Sequence, residues 1–247
     1  MHGYDTYDYG ARGMYSALMR FTTPDPLAEK YYSISPYAYC GNNPMKYIDP
    51  DGKDWVDHKG KIIWIKNVTS ANDKDLQKDD KYLGRNVLVG THNRDANLKE
   101  PINSARFDLY LESNHKGPSA TIYGNTVPAD TKKSGTLAEG LYKAVSGHRN
   151  KPQYQNELAL RIYNINGTDG LPTVNGNPNP KSDGKTLTGV LFHIGNQHQE
   201  SLTDSKGHPY SEGCQTSHNG PDAKELHNAF FENIGTNFDG YYYLRGQ

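Results

Sequence analysis

Residues 187–193 read LTGVLFH, and residues 194–196, IGN, follow at once. The apolar run is too short for a helix and is bounded by turn residues, so it reads as a buried strand that stops at a turn. Runs of similar character lie upstream. Residues 54–68 (DWVDHKGKIIWIKNV) place a His58-Lys59-Gly60 turn between two β-prone runs, the pattern of a hairpin. Residues 86–90, 105–112, 119–123, 140–145 and 157–164 are further strands, whereas 67–83 and the Gly-, Pro-, Asn- and Asp-rich 166–185 read as loops. One helix stands out. Asp222 and Glu225 have capping-box spacing, Leu226, Phe230 and Ile234 recur every four residues, and Gly235 supplies the stop. The fold class expected is mainly β: a curved sheet or sandwich with one C-terminal helix.

Composition agrees with that class. Of 247 residues, 34% are hydrophobic, and the mean hydropathy is -0.88. Nineteen tyrosines against six phenylalanines suit strands and polar surfaces, and 25 glycines with 14 prolines imply many turns. A net charge of -1 and a pI near 6.8 give no electrostatic footprint of a nucleic-acid binder, so no nucleic acid partner is expected. No apolar run approaches the ~18 residues of a membrane span. Residues 1–20 contain no signal-peptide core, so export is expected to use another route or a preceding part of the protein. Two cysteines, Cys40 and Cys214, allow at most one disulfide.

The texture changes near residue 52. YDYGAR (7–12), the Met14-Tyr15 pair, RFTTPDPLAEKYYSISPYAYCGNNP (20–44) and DPDG (49–52) resemble, in order and spacing, the C-terminal edge of the RHS repeat-associated core. The resemblance implies an extended N-terminal core arm over 1–52 and a variable toxin domain over 53–247. It also implies a secreted antibacterial effector, a dedicated immunity protein as partner, and in many members self-cleavage near the DPxG end. Here Lys53 follows Gly52, where the family has an apolar residue.

The residues that carry chemistry lie at the end of the 187–193 strand and beyond. His193 closes that strand. After seventeen further residues comes Ser211, in YSEGCQTS (210–217), and Cys214 lies three past Ser211. A thiol is a nucleophile only as thiolate, and His is the natural neighbouring base. Gly213 lets the backbone turn tightly, so the Gly213 and Cys214 amides form a candidate oxyanion hole. This arrangement resembles the L,D-transpeptidase (YkuD-type) motif, onto which His193, Ser211, Gly213 and Cys214 map in order. Residues 135–144 (GTLAEGLYKA) resemble the strand that precedes the motif in that family, and the similarity spans roughly 103–217. Glu212 stands where the motif has His, and Gln215-Thr216 replaces its apolar-Asn/Arg pair. The resemblance implies an L,D-transpeptidase-like sandwich with its catalytic segment at about 103–235. Cys214 would form a thioester with a peptidoglycan stem peptide in the target cell's periplasm or wall, and no cofactor or metal is needed. Tyr210, Glu212, Gln215 and Asn196 are expected to bind substrate.

Other readings stay open. Cys214 fits a small buried hydrophobe, and His193 a hydrogen-bonded core residue. His193, His198, His208, Cys214 and His218 lie within 26 residues, which would suit zinc and a metallohydrolase with Glu212 as acid/base. However, no CxxC, HExxH or HxH occurs among them. A nuclease would use His148, Arg149 and Glu157, which otherwise read as a solvated loop before a strand. A binding module would leave Cys214 unreactive.

Overall fold

The computed structural model describes residues 6–8, 13–15, 20–24, 35, 37, 53–66, 68–149, 156–174 and 186–247. The chain divides into two compact units, Met1–Lys53 with Lys66–Val68, and Asp54–Ile65 with Thr69–Gln247. In the first, β1 (Thr6–Asp8), β2 (Gly13–Tyr15) and β3 (Arg20–Phe21) form a small antiparallel meander. Most of the remaining RHS-like stretch, including Cys40 and the DPDG at 49–52, lies outside the described residues.

The second unit begins with β4 (Lys53–His58), β5 (Lys61–Lys66) and β6 (Lys81–Gly84), apart from the end residues Lys53 and Lys66. These strands form a three-stranded sheet in the order β5-β4-β6. The expected 54–68 hairpin turns at Lys59, with φ +52°, and Gly60. β6 corrects the loop expected at 67–83: Leu83 is buried and the Tyr82 hydroxyl donates to Asp54 Oδ2 at 2.6 Å, so a polar-looking stretch joins the sheet.

The main sheet has eight strands. In chain order they are β7 (Val87–His92), β8 (Ala105–Tyr110), β9 (Ala120–Gly124), β10 (Gly140–His148), β11 (Leu158–Tyr163), β14 (Leu191–His193), β15 (Gln215–Thr216) and β16 (Asp239–Gly246). The intervening β12 (Leu171–Pro172) and β13 (Thr186–Leu187) pair separately. The eight lie in the order β15-β14-β11-β10-β16-β7-β8-β9, antiparallel except at β14–β15 and β16–β7. The sheet curls until its two ends meet. Asn125, just past β9, exchanges backbone hydrogen bonds of 2.9 and 2.8 Å with Thr216 of β15, which makes a nearly closed barrel.

Period-two alternation explains the curl. Phe107 and Leu109, Tyr142 and Ala144, Leu160 and Ile162, and Tyr242 and Leu244 all join one buried cluster inside the sheet. On the outer face Val87, Val89 and Tyr243 pack with Trp55 and Leu83 from the smaller sheet. β7 and β16 are therefore covered on both sides, and such strands lose visible alternation. That is why the tyrosine-rich tail at 239–246, which carries no strand pattern of its own, forms a central strand. Tyr242 is fully buried and its hydroxyl donates to Gln215 Oε1 at 3.0 Å. Tyr242→Phe would leave the Gln215 amide with neither end paired, since its Nε2 already lacks a partner. The expected cost is about 1–2 kcal/mol, read as a lower denaturant midpoint at unchanged slope.

The helix α1 (Ala223–Ile234) forms where expected, and Gly235 ends it at φ +71° with its N–H on Phe231 O. Two details differ from the sequence reading. Asp222 makes no side-chain cap hydrogen bond, and Leu226 is exposed. The buried stripe is Ala223, His227, Phe230, Phe231 and Ile234. Leu226 lies roughly a quarter-turn from the middle of that stripe at ~100° per residue. Phe230 and Phe231 pack on Phe192 of β14, whose ring also meets Phe107 at 4.8 Å, so the helix is anchored directly behind the strand that ends in His193. No helix among the described residues is long and apolar enough to cross a membrane.

Candidate active site

The run at 187–193 is two strands rather than one. Gly189, at φ +65°, breaks it, and its N–H is taken by the Asp169 carboxylate at 3.0 and 3.1 Å. The second piece, β14, lies parallel to β15, with Phe192 opposite Gln215 and His193 opposite Thr216. One step back, the Leu191 N–H points at Cys214 Sγ, 3.4 Å away, and that sulfur lies 3.9 Å from Gly189 O. Cys214 is half-buried and not in a disulfide. Cys214 immediately precedes β15, so its backbone lies across from Leu191, two positions before His193. With strands ~4.8 Å apart and a rise of ~3.3 Å per residue, the two backbones are roughly 8 Å apart, and the sulfur is turned towards Leu191 N–H and Gly189 O. Phe192 and Gln215 point the other way, into the barrel.

His193 is 2% exposed, and its Nδ1 is 2.6 Å from Ile194 O. A carbonyl only accepts, so Nδ1 carries the proton and the lone pair is left on Nε2. That is the tautomer a general base requires. The backbone around it is fixed as well: His193 O accepts from Ser217 N–H at 2.8 Å.

The turn before Cys214 is built by Ser211. Its Oγ donates to Cys214 O at 2.7 Å and accepts from Gly213 N–H at 3.2 Å. This overturns half of the expected oxyanion hole, because the Gly213 N–H is already spent on Ser211. Gly213 instead serves close packing. It sits at φ +132°, and a Cβ there would come within 2.8 Å of Leu187 Cδ2 and 2.9 Å of Gly135 O. Gly135 opens the 135–144 segment, whose Leu137 bridges Thr173, so this segment forms a wall beside the 211–214 turn. Gly213→Ala combines a strained φ with two contacts that must yield. It is expected to cost about 2 kcal/mol of stability and to lower the alkylation rate of Cys214, measured by denaturant titration and by iodoacetamide labelling.

The expected substrate contacts divide. Glu212 is exposed and Tyr210 half-buried beside the turn, with the Tyr210 N–H on Leu202 O at 2.9 Å. Asn196 and Gln215 are both 0% exposed. Asn196 organises the loop after His193: its Nδ2 donates to Thr203 O, and its Oδ1 accepts from the N–H groups of His198 and Gln199. Gln215 faces the interior, where its Oε1 accepts from the Tyr242 hydroxyl.

Two pieces of the site had no sequence signal. Asn219 Oδ1 accepts from Asn196 N–H, and Asn219 Nδ2 donates to Asn103 and Asn125, so a buried asparagine cluster ties the loop after His193 to the barrel seam. Behind β15, His227 Nε2–H donates to Leu158 O at 3.0 Å, which leaves Nδ1 to accept from the Ser217 hydroxyl at 2.8 Å. Burial pulls the His227 pKa down to about 4.

The alternatives find less support. Among the described residues no group of three His, Cys, Asp or Glu side chains converges as a metal site, so the zinc reading has no ligand set there. His208 is exposed and paired with Asp204 at 3.1 Å. Arg149 and Glu157 of the nuclease reading bind each other at 3.0 Å, and Glu157 also holds Gln197, so they act as a strut between the β10–β11 end and the 197 loop. Compared with family models, curated proteins and solved structures, the chain has no match.

Proposed function

We propose that this unit is a cysteine acyltransferase acting on peptidoglycan stem peptides, an L,D-transpeptidase- or L,D-carboxypeptidase-like enzyme. The RHS-like segment at 1–52 supports a further reading, that it is the toxic tip of a secreted antibacterial effector working in the target's periplasm or wall. A partner immunity protein belongs to that reading. The observation that carries the enzymatic reading is the pairing of β14 and β15. It brings Cys214, just before β15, alongside the strand that ends in His193, whose Nδ1 is bonded to Ile194 O.

The chemistry follows from those atoms. His193 Nε2 takes the thiol proton, and the Cys214 thiolate adds to the carbonyl carbon after the third stem residue. The C–N bond breaks, the leaving amine takes the proton from His193, and a thioester remains on Cys214. A second amine then accepts the acyl group, or water hydrolyses it, with His193 removing the acceptor's proton. Transfer rewires cross-links, and hydrolysis shortens donor stems. Ser211 takes no proton in this scheme; it holds the turn.

The test is chromatography of purified muropeptides incubated with the full chain. New shortened or cross-linked stems are expected with the wild type, with and without a chelator, and none with His193→Ala. Chelator-sensitive cleavage of peptide or nucleic acid, with muropeptides unchanged, would contradict the reading and favour the zinc or nuclease alternatives.

A further inference from the structure

Two partners of the Cys214 sulfur come from one short stretch of backbone, and that stretch is held by an acid which the chemistry above leaves unused. Val190 O accepts from Ile162 N–H of β11 at 3.0 Å. Successive carbonyls of an extended chain point to opposite edges, so Gly189 O and Leu191 N–H face away from β11. Cys214 lies on that side, with Leu191 N–H 3.4 Å and Gly189 O 3.9 Å from its Sγ. The two groups act in opposite senses. The carbonyl accepts from the neutral thiol and disfavours a thiolate, whereas the N–H favours the thiolate. The balance between them depends on how the backbone at 189–191 is turned.

Gly189 sets that turn. It lies at φ +65°, between β13 and β14. Its N–H goes to the Asp169 carboxylate, 3.1 Å from Oδ1 and 3.0 Å from Oδ2. Asp169 is exposed, yet it stands on an ordered loop. Asn164 N–H donates to Thr168 O at 2.9 Å, Gly167 N–H to Asn164 O at 2.8 Å, and Asn164 Nδ2 to Gly170 O at 3.2 Å. Gly170 N–H donates to Asp169 Oδ1 at 3.0 Å, which orients the carboxylate. Just beyond the loop, Leu171 pairs with Leu187 and Pro172 with Thr186, so the loop and the 186–189 stretch are tied at two places. The backbone of Cys214 is fixed separately, since Ser211 Oγ donates to Cys214 O at 2.7 Å.

We propose that Asp169 is a positioning residue for Cys214. By holding the Gly189 N–H it keeps Leu191 N–H aimed at the sulfur, so that a thiolate forms with its donor already in place. The purpose of this arrangement rests on the acyl-transfer reading above, but its test does not. Asp169 touches no reacting atom. Its own negative charge works against a neighbouring thiolate, so a role through charge and a role through the turn have opposite signs. Removing the charge alone speeds Cys214, and releasing the turn slows it.

The experiment is alkylation of the full chain with iodoacetamide at pH 7, followed by peptide mass analysis at Cys214. The reagent is neutral, so loss of a carboxylate does not change its local concentration. Asp169→Ala is expected to slow labelling about fivefold, with a denaturant midpoint close to wild type. Loss of a charge-assisted donor lowers the thiolate fraction, and part of that loss is returned because a more basic sulfur is more nucleophilic. Asp169→Asn keeps an acceptor for Gly189 N–H and should label at the wild-type rate or slightly above it. Gly189→Val tests the same turn from inside. No atom lies within 4 Å of a Cβ there, so the change acts through φ alone, and labelling should slow as in Asp169→Ala. It also keeps the test valid if Asp169→Ala unfolds the chain.

Wild-type or faster labelling of Asp169→Ala, equal slowing of Asp169→Asn, or unchanged labelling of Gly189→Val overturns the positioning role. Muropeptide analysis of the same chains separates this from the chemistry. Slowed labelling of Asp169→Ala, with no muropeptide product from the wild type, would leave Asp169 holding the sulfur without the acyl-transfer reading. Product from the wild type, with equal labelling of all four chains, would leave that reading without Asp169.

Discussion

Cys214→Ala is expected to lower stem-peptide turnover by about 10⁴-fold or more, the scale seen when the nucleophile of a nucleophile–base pair is removed. The fold should survive the change. Cys214 is half-buried, and its sulfur accepts from Leu191 N–H at 3.4 Å and lies 3.9 Å from Gly189 O, contacts that alanine gives up at small cost. Far-ultraviolet circular dichroism and the denaturant midpoint should therefore stay close to wild type while muropeptide products vanish. Cys214→Ser keeps the shape and a hydroxyl but removes the acidic thiol, so it should lose nearly as much. Retained turnover in either variant would make Cys214 a structural residue and end the cysteine mechanism. Loss of turnover together with unfolding would point instead to a packing role for the turn at 211–214.

Acid is expected to weaken the fold through His227. This ring is 2% exposed and neutral, and burial lowers its pKa from 6.5 to about 4. The unfolded chain thus binds the His227 proton before the folded one does. The contribution is fully present above pH 6.5 and declines as pH falls from 6.5 to 4, by about 3 kcal/mol at 1.36 kcal/mol per unit. His92, whose pKa burial also lowers, adds in the same direction. His227→Gln isolates the larger effect. Its stability should be lower at pH 7, where the Ser217 and Leu158 bonds are disturbed, but its slope between pH 6.5 and 4 should be flatter than that of the wild type. Parallel pH profiles for the two chains would remove His227 as a source of acid sensitivity. Because Ser217 N–H holds His193 O, acid-induced loosening at His227 should also reduce Cys214 chemistry before the barrel melts.

The parts of this fold that could be read from sequence are those with one buried face. β8 and β11 alternate because only one side meets the core, and α1 carries its apolar stripe openly. β16 could not be read, since tyrosines at 241–243 meet apolar surface on both faces and alternation disappears. Among the described residues the sheet closes through the Asn125–Thr216 bridge, which no periodicity encodes. The site shows the same division. The spacing of His193, Ser211, Gly213 and Cys214 was legible, because each residue's chemistry restricts its neighbours. The burial of Asn196 and Gln215 was not legible from their polar character. Gln215 turns inside to the Tyr242 hydroxyl, and Asn196 bonds within its own loop.

The most direct test is the intact mass of the full chain after brief incubation with purified stem tetrapeptides, under acidic quench. The wild type is expected to gain the mass of the acyl tripeptide, released by hydroxylamine as a thioester should be, with no gain on Cys214→Ala and little on His193→Ala. An unmodified wild type while stems are consumed, or an equal adduct on Cys214→Ala, would contradict it.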